Sequence, residues 1–372
     1  MNIALIKLGA RVSVNSSATS GGTGETISII KLLLLSNCKV DVYTKVLESD
    51  IMPDDFNILD IESEYNSINN KNYDCLVVLN GNVNYFGGQD SAAQTLNYNI
   101  INNFKGRVFY IMCDCNLLLK QIWPSIEKKK WSSNYNKEDI YIKRNDIVYI
   151  SQAQFVHKVK QKAINQGIDI CDVVYFPFEK FPLVTMKDFD FNDNPKYDLL
   201  YGGTFRGGSR EDDMIKFYFG YDNKYNVSMF GKIEINNFNE NKISNLRKPD
   251  FEKSVSYNEF GNKMLESKAT VVIGDKLYKQ WGDLAQRIYE SIKVGNIVLI
   301  DNSYDFRKVV FKNNKELIDF CYVNDRKDVE NRLDKLVDND YRKYLLTLQR
   351  DCVNIDINEY CNSLISIVKR YI

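Results

Sequence analysis

The stretch Tyr201-Gly202-Gly203-Thr204-Phe205-Arg206-Gly207-Gly208-Ser209-Arg210 gathers four glycines, hydroxyl side chains and two arginines between an apolar run and a helix-like segment beginning near Glu211. Glycine lets a backbone take positive φ and come close to a ligand, and the free N–H groups that start the next helix favour an anion. Arg206 and Arg210 would strengthen such a site, so the stretch reads as a phosphate-holding loop. The same glycines would also serve a bare turn between two elements. The Lys-Ser/Thr of a P-loop is missing and the spacing is not that of a dinucleotide fingerprint, so neither a nucleoside triphosphatase nor a dehydrogenase follows.

A second constellation is Gln286-Arg287-Ile288-Tyr289-Glu290, where a helical pattern opens and runs to Val294. Arg287 and Glu290 share one helix face. They suit a surface ion pair, and they equally suit a diphosphate and a ribose diol, which need a cation and a carboxylate together. A third is Asp114, just past the buried-type run Val108–Met112. An acid at that place is either a turn cap or a general base. Trp123-Pro124, Lys128-Lys129-Lys130-Trp131 and Lys143-Arg144 could line a groove for a polyanion, or be an ordinary solvated surface.

The elements that must position these residues follow an α/β alternation. Strands are expected at Asn2–Leu8, Val40–Thr44, Cys75–Leu79, Val108–Met112, Ile147–Ile150 and Val173–Phe176, with helices from about Glu25 to Leu35, Ser91 to Asn103 and Gln154 to Asn165. Buried-type runs alternating with helices argue for a parallel sheet. The polar stretch from Asp50 to Asn72 shows little periodicity. Pro177, Pro182 and the polar run Lys187–Lys196 mark a linker. The second half repeats the logic, with strands at Asp198–Tyr201, Asn226–Phe230, Ala269–Ile273 and Asn296–Ile300, and helices at Asp212–Phe219 and Asn258–Glu266. Helices at Lys327–Val337, Tyr341–Asp351 and Ile357–Tyr371 close the chain.

Composition excludes several classes. With 372 residues and 44% hydrophobic content the chain is long enough for two cores. The N-terminus reads as a strand rather than a signal peptide, and no apolar run approaches the length of a membrane span. The eight cysteines show neither zinc-site spacing nor a disulfide framework. The single histidine, His157, lies in a helix-surface pattern, so a Ser-His-Asp triad or a multi-histidine metal site is not expected and acid/base work falls to a carboxylate. A net charge of zero lacks the footprint of a dedicated nucleic-acid binder, leaving any such binding to a local patch.

Taken together, Tyr201-Gly202-Gly203-Thr204-Phe205-Arg206 with Arg210-Glu211, Ile273-Gly274-Asp275-Lys276, Tyr85-Phe86-Gly87-Gly88, Trp123-Pro124, Ile150-Ser151-Gln152 and Tyr175-Phe176-Pro177 resemble the DNA β-glucosyltransferase family of T-even bacteriophages, in the same order along nearly the whole chain. The resemblance implies an α/β protein with two Rossmann-like domains facing a central cleft, the GT-B glycosyltransferase fold. Residues 1–180 would be the acceptor DNA domain, 181–350 the UDP-sugar domain, and 351–372 a C-terminal helix packing back on the first. It further implies an inverting transfer of glucose from UDP-glucose to the hydroxymethyl group of 5-hydroxymethylcytosine in duplex DNA.

By that resemblance Asp114 is the general base and Glu25 an acid near sugar and acceptor. Arg206 and Arg210 hold the diphosphate, Thr204 stands where the family has Ser, and Arg287 with Glu290 takes phosphate and ribose. Phe205, Val255, Asp275 and Tyr278 complete the donor set, although Lys253-Ser254-Val255 matches the base-contact loop only loosely. Asn84, Tyr85, Phe86, Trp123, Lys128, Lys129 and Lys130 would touch DNA, with the target base flipped out of the duplex. No obligatory metal is implied, with Mg or Mn as an optional stimulant, and the enzyme would be a monomer in the cytoplasm of an infected bacterium. The alternatives are the same chemistry on 5-hydroxymethyluracil or on a non-DNA acceptor, and a non-catalytic relative that binds nucleotide or DNA.

Overall fold

The structure, a computed structural model, describes residues 1–7, 21–44, 57–79, 99–112, 144–165, 171–205, 207–274 and 276–372. Among these, the chain divides into two compact units, one holding the residues up to Phe178 together with Asp356–Ile372, the other Glu179–Ile355.

In the first unit β1 (Asn2–Lys7), β2 (Lys39–Thr44), β3 (Asn57–Asp60), β4 (Cys75–Leu79), β5 (Arg107–Met112), β6 (Val148–Ser151) and β7 (Asp172–Tyr175) form one sheet in the order β3-β2-β1-β4-β5-β6-β7. Every neighbouring pair is parallel. Parallel strands are covered on both faces, which is why Cys75–Leu79 is apolar and buried throughout. Helices α1 (Gly21–Leu35), α2 (Ile61–Asn70) and α3 (Val156–Asn165) accompany this sheet. α1 starts at Gly21 rather than near Glu25: its glycines are poor helix formers, but burial of Ile29, Ile30, Leu32 and Leu33 holds the helix. β3 and α2 lie in the stretch expected to lack periodicity, because α2 is mostly polar, with Ile68 buried in its second half. His157 is exposed on α3, as its pattern indicates.

Arg144 does not serve a polyanion surface. Its guanidinium donates to both Asp146 carboxylate oxygens at 2.7 Å and to the carbonyls of Ile101, Phe104 and Gly106, tying the helical end at 99–103 and the bend after it to the segment before β6. Those hydrogen bonds hold the Asp146 carboxyl below the usual carboxylate range. Truncation would leave partly buried carbonyls without a donor, so Arg144→Ala should cost on the order of 2 kcal/mol at pH 7. The Asp146 share of that stability is complete above the unfolded carboxylate value, about 4, and is lost as pH falls through the depressed folded value. Urea denaturation of both proteins at pH 7 and pH 3 should therefore show the difference shrinking in acid.

The second unit contains β8 (Tyr197–Thr204), β9 (Val227–Lys232), β10 (Asp250–Glu252), β11 (Ser267–Val272), β12 (Ile297–Asp301) and β13 (Tyr322–Val323), ordered β10-β9-β8-β11-β12-β13 and again parallel. Its helices are α4 (Phe181–Thr185), α5 (Ser209–Tyr218), α6 (Glu240–Ile243), α7 (Tyr257–Leu265), α8 (Lys276–Trp281), α9 (Arg287–Val294), α10 (Lys315–Cys321), α11 (Arg326–Lys335) and α12 (Asn339–Val353). α13 (Ile357–Tyr371) belongs to the first unit, where it buries Leu364, Ile365 and Val368, and Arg107 Nε donates to the Tyr371 carbonyl at 3.1 Å. In both sheets the strand order reverses beside the first strand of the unit. Such a switch point opens a crevice at the carboxyl ends of the strands. In the second unit it lies between β8 and β11.

Candidate functional site

The glycine-rich stretch is half strand and half turn. Gly202, Gly203 and Thr204 still belong to β8 and pair with Phe230, Gly231 and Lys232 of β9, so two of the four glycines do not form the turn that the sequence suggests. A side chain at Gly202 would strike the Phe230 ring and the Arg287 guanidinium, and one at Gly203 would press on the Tyr201 ring. The turn itself is made by Gly207 and Gly208, at φ of 61° and 59°. Gly208 caps α5 without a side-chain hydrogen bond, so no capping side chain covers the partly positive start of that helix. Glu211 and Asp212, in the first turn, would oppose such a ligand. Lys242 offsets them, with its Nζ 2.7 Å from Asp212 Oδ1 and 3.5 Å from Glu211 Oε2.

Two cations converge on β8. Arg210, on α5, donates from its guanidinium to the Tyr201 hydroxyl at 3.1 Å. Arg287, at the start of α9, donates from Nη1 to the Gly202 carbonyl and from Nε to Glu290 Oε2 at 2.8 Å. Arg287 and Glu290 are thus an ion pair, as their spacing allows, and the pair lies against the strand that leads into the Gly207–Gly208 turn. The Arg287 guanidinium also stands 4.1 Å over the Phe260 ring. Thr204 is exposed at the end of β8, and Phe205 packs its ring 4.9 Å from that of Phe238. Val255 joins the small apolar cluster of Leu200, Phe230 and Val294 beside Phe260.

The loop after β11 crosses the same sheet edge. Gly274 lies against the Tyr304 ring. Burial pushes the Tyr304 hydroxyl well above its ordinary value, Asp283 and Tyr278 adding to the effect and Arg210 opposing it. Lys279 of α8 binds Asp213 of α5 at 3.1 Å, Asp301 at the end of β12 at 3.2 Å and Ser303 at 2.8 Å. Burial pushes the Asp213 carboxyl up against the pull of Lys279. This network joins the two helices that follow the two loops. The sequence reading missed it, and also Tyr201 and Phe260; the only signal was an aromatic residue immediately before the glycine pair.

Of the sequence-derived residues, the structure brings together Thr204, Phe205, Arg210, Arg287 and Glu290, with Val255 and Tyr278 nearby in the same unit. Glu25 lies on α1, and only its backbone is described. Asp114, Asn84, Tyr85, Phe86, Trp123, Lys128, Lys129, Lys130, Arg206 and Asp275 lie outside the described residues. Among the described residues no group of three or more His, Cys, Asp or Glu is arranged to hold a metal ion, and no helix is long and apolar enough to cross a membrane.

Two parallel sheets with the same reversal of strand order, and a glycine turn at the switch point of the second, define an α/β protein of the GT-B glycosyltransferase class. Residues 1–182 match the family model described as Bacteriophage T4 beta-glucosyltransferase. Over 358 residues, 95% of this chain and 95% of the relative, the sequence is 28% identical to the DNA beta-glucosyltransferase of Enterobacteria phage T4. Among solved structures it is similar to a mutant of T4 phage BGT in complex with UDP-glucose, with a TM-score of 0.78 and 25% identity, covering 98% of this chain and 99% of that one. It is also similar to T4 phage BGT in complex with UDP and Mn2+, with a TM-score of 0.77 and 26% identity over 100% and 99% of the two chains. In sequence and in fold the chain is similar to the T4 β-glucosyltransferases over nearly its whole length.

Proposed function

We propose that this protein transfers glucose from UDP-glucose to the hydroxymethyl group of 5-hydroxymethylcytosine in duplex DNA, inverting the anomeric centre. The observation that carries the reading is likeness to a DNA β-glucosyltransferase over 95% of both chains, in sequence and fold together. The donor-side geometry agrees with it. The positive end of the α5 dipole, Arg206 and Arg210 would hold the diphosphate and offset the charge that grows on the leaving group. Arg287 would add a cation, and Glu290, held by Arg287 at 2.8 Å, would take the ribose hydroxyls. Phe205, Val255, Asp275 and Tyr278 would line the nucleotide.

On the acceptor side, Asp114 would take the proton of the hydroxymethyl group as its oxygen attacks the anomeric carbon opposite UDP. One carboxylate suffices for that displacement, because the leaving diphosphate needs no protonating acid. Glu25 would lie near sugar and acceptor. Asn84, Tyr85, Phe86, Trp123 and the Lys128–Lys130 run would contact the duplex with the target base flipped out. A divalent ion would be accessory rather than obligatory. The enzyme would act as a monomer in the cytoplasm of the infected host.

The test is release of UDP from UDP-glucose with an unmodified duplex and with one carrying 5-hydroxymethylcytosine. Release that depends on the modified duplex is expected; equal release with both would overturn the acceptor assignment. Arg287→Ala should weaken UDP binding about thirtyfold, on the order of 2 kcal/mol, as expected for losing a charged hydrogen-bond donor. Calorimetric titration with UDP reads it directly.

A further inference from the structure

We propose that Tyr201 and Phe260 are positioning residues that hold Arg210 and Arg287 in their binding geometry before the nucleotide diphosphate arrives; the inference rests on the donor-site reading above. Tyr201 is 5% exposed, so its influence on a ligand runs through the arginine it bonds. Its own place is fixed from behind. Its ring meets that of Tyr218 edge-on, with centroids 5.3 Å apart. Tyr218 is pinned in turn, its hydroxyl donating to the Val271 carbonyl at 2.7 Å and accepting from the Val271 N–H at 2.9 Å. The Tyr201 hydroxyl is therefore a stationary acceptor, built on β8 and β11 on the two sides of the switch point. Arg210 donates to it at 3.1 Å.

Arg287 is set by a different device to the same end. Phe260 packs on Phe230 with centroids 5.5 Å apart and offers its other surroundings to the guanidinium 4.1 Å away. The Gly202 carbonyl and the Glu290 carboxylate then fix the rotation of the guanidinium in its plane. The carbonyl and the hydroxyl that hold the two arginines come from adjacent residues of one strand, Tyr201 and Gly202. Arginine has much rotamer freedom, and restricting it in the free protein lowers the cost of ordering it on binding. The stacked face adds attraction without competing for the N–H groups a phosphate would use.

Tyr201→Phe removes one hydroxyl and leaves the ring. It should weaken UDP binding about tenfold, or about 1.4 kcal/mol, while the melting temperature of the same sample stays within about 2 °C of wild type. In an Arg210→Ala background it should cost nothing further, because the hydroxyl acts through that arginine. Phe260→Leu should weaken UDP binding about fivefold, and Phe260→Tyr, which keeps the aromatic face, should restore it. Tyr201→Phe with wild-type affinity, or with the same loss in both backgrounds, overturns the first half. Phe260→Leu with wild-type affinity, or Phe260→Tyr no better than leucine, overturns the second. If Arg210→Ala and Arg287→Ala themselves bind UDP as tightly as wild type, the donor assignment fails and this inference falls with it. If they weaken binding and the aromatic variants do not, only this inference falls.

Discussion

Asp114→Ala is expected to abolish glucose transfer while leaving UDP affinity nearly unchanged. A general base in such a displacement contributes about 10²- to 10⁴-fold, and the chain has a single histidine. UDP binding should survive because the groups proposed to hold the diphosphate, Arg206, Arg210 and Arg287, all come from the second half of the chain. A single-turnover assay paired with calorimetric UDP titration separates the two quantities. Wild-type turnover in the variant would remove Asp114 from the mechanism.

Gly231→Ala should have the largest effect on stability of any small substitution near the site. Gly231 sits in β9 at φ 119°, and an added Cβ would lie 2.0 Å from the Gly203 carbonyl oxygen. That oxygen is backbone, in the strand that runs into the Gly207–Gly208 turn, so the clash cannot be relieved by swinging a side chain aside. Either the strands part at the Gly203–Gly231 pair or the turn shifts. The expected cost is on the order of 3 kcal/mol, combining an unfavourable backbone region with a broken strand pair. Loss of UDP binding should accompany it. Thermal unfolding with and without UDP measures both effects, and an unchanged melting temperature would show that β8 and β9 are not held so closely.

The central strands were legible in the sequence because a buried parallel strand is a continuous apolar run, as Cys75–Leu79 and Ile297–Asp301 are. Of the edge strands, only Asp172–Tyr175 was legible. Asn57–Asp60, Asp250–Glu252 and Tyr322–Val323 are too short to carry a pattern, and their strand character comes from the neighbour they pair with. Gly202 and Gly203 read as turn residues because glycine weakens a strand, yet both stay in β8, where the Phe230 ring and Arg287 crowd the first and the Tyr201 ring the second. The pairing of Arg287 with Glu290 was visible in their spacing on one helix face. Its place beside Gly202 was not, since that contact joins residues 85 positions apart. Arg144 illustrates the opposite error, a cation in a basic stretch that turns inward to bind carbonyls. Tyr201 and Phe260 carried no signal of their own, because what distinguishes them is which arginine folding brings to them.

The most direct test of the account is to incubate the protein with UDP-glucose and three matched duplexes carrying cytosine, 5-hydroxymethylcytosine or 5-hydroxymethyluracil, then to digest the DNA and weigh the nucleosides. A gain of one hexose on 5-hydroxymethylcytosine alone, in the β configuration, is the result predicted. A gain on 5-hydroxymethyluracil instead would keep the chemistry and change the acceptor. No gain on any duplex, with UDP still bound, would contradict DNA glucosylation as the function of this chain.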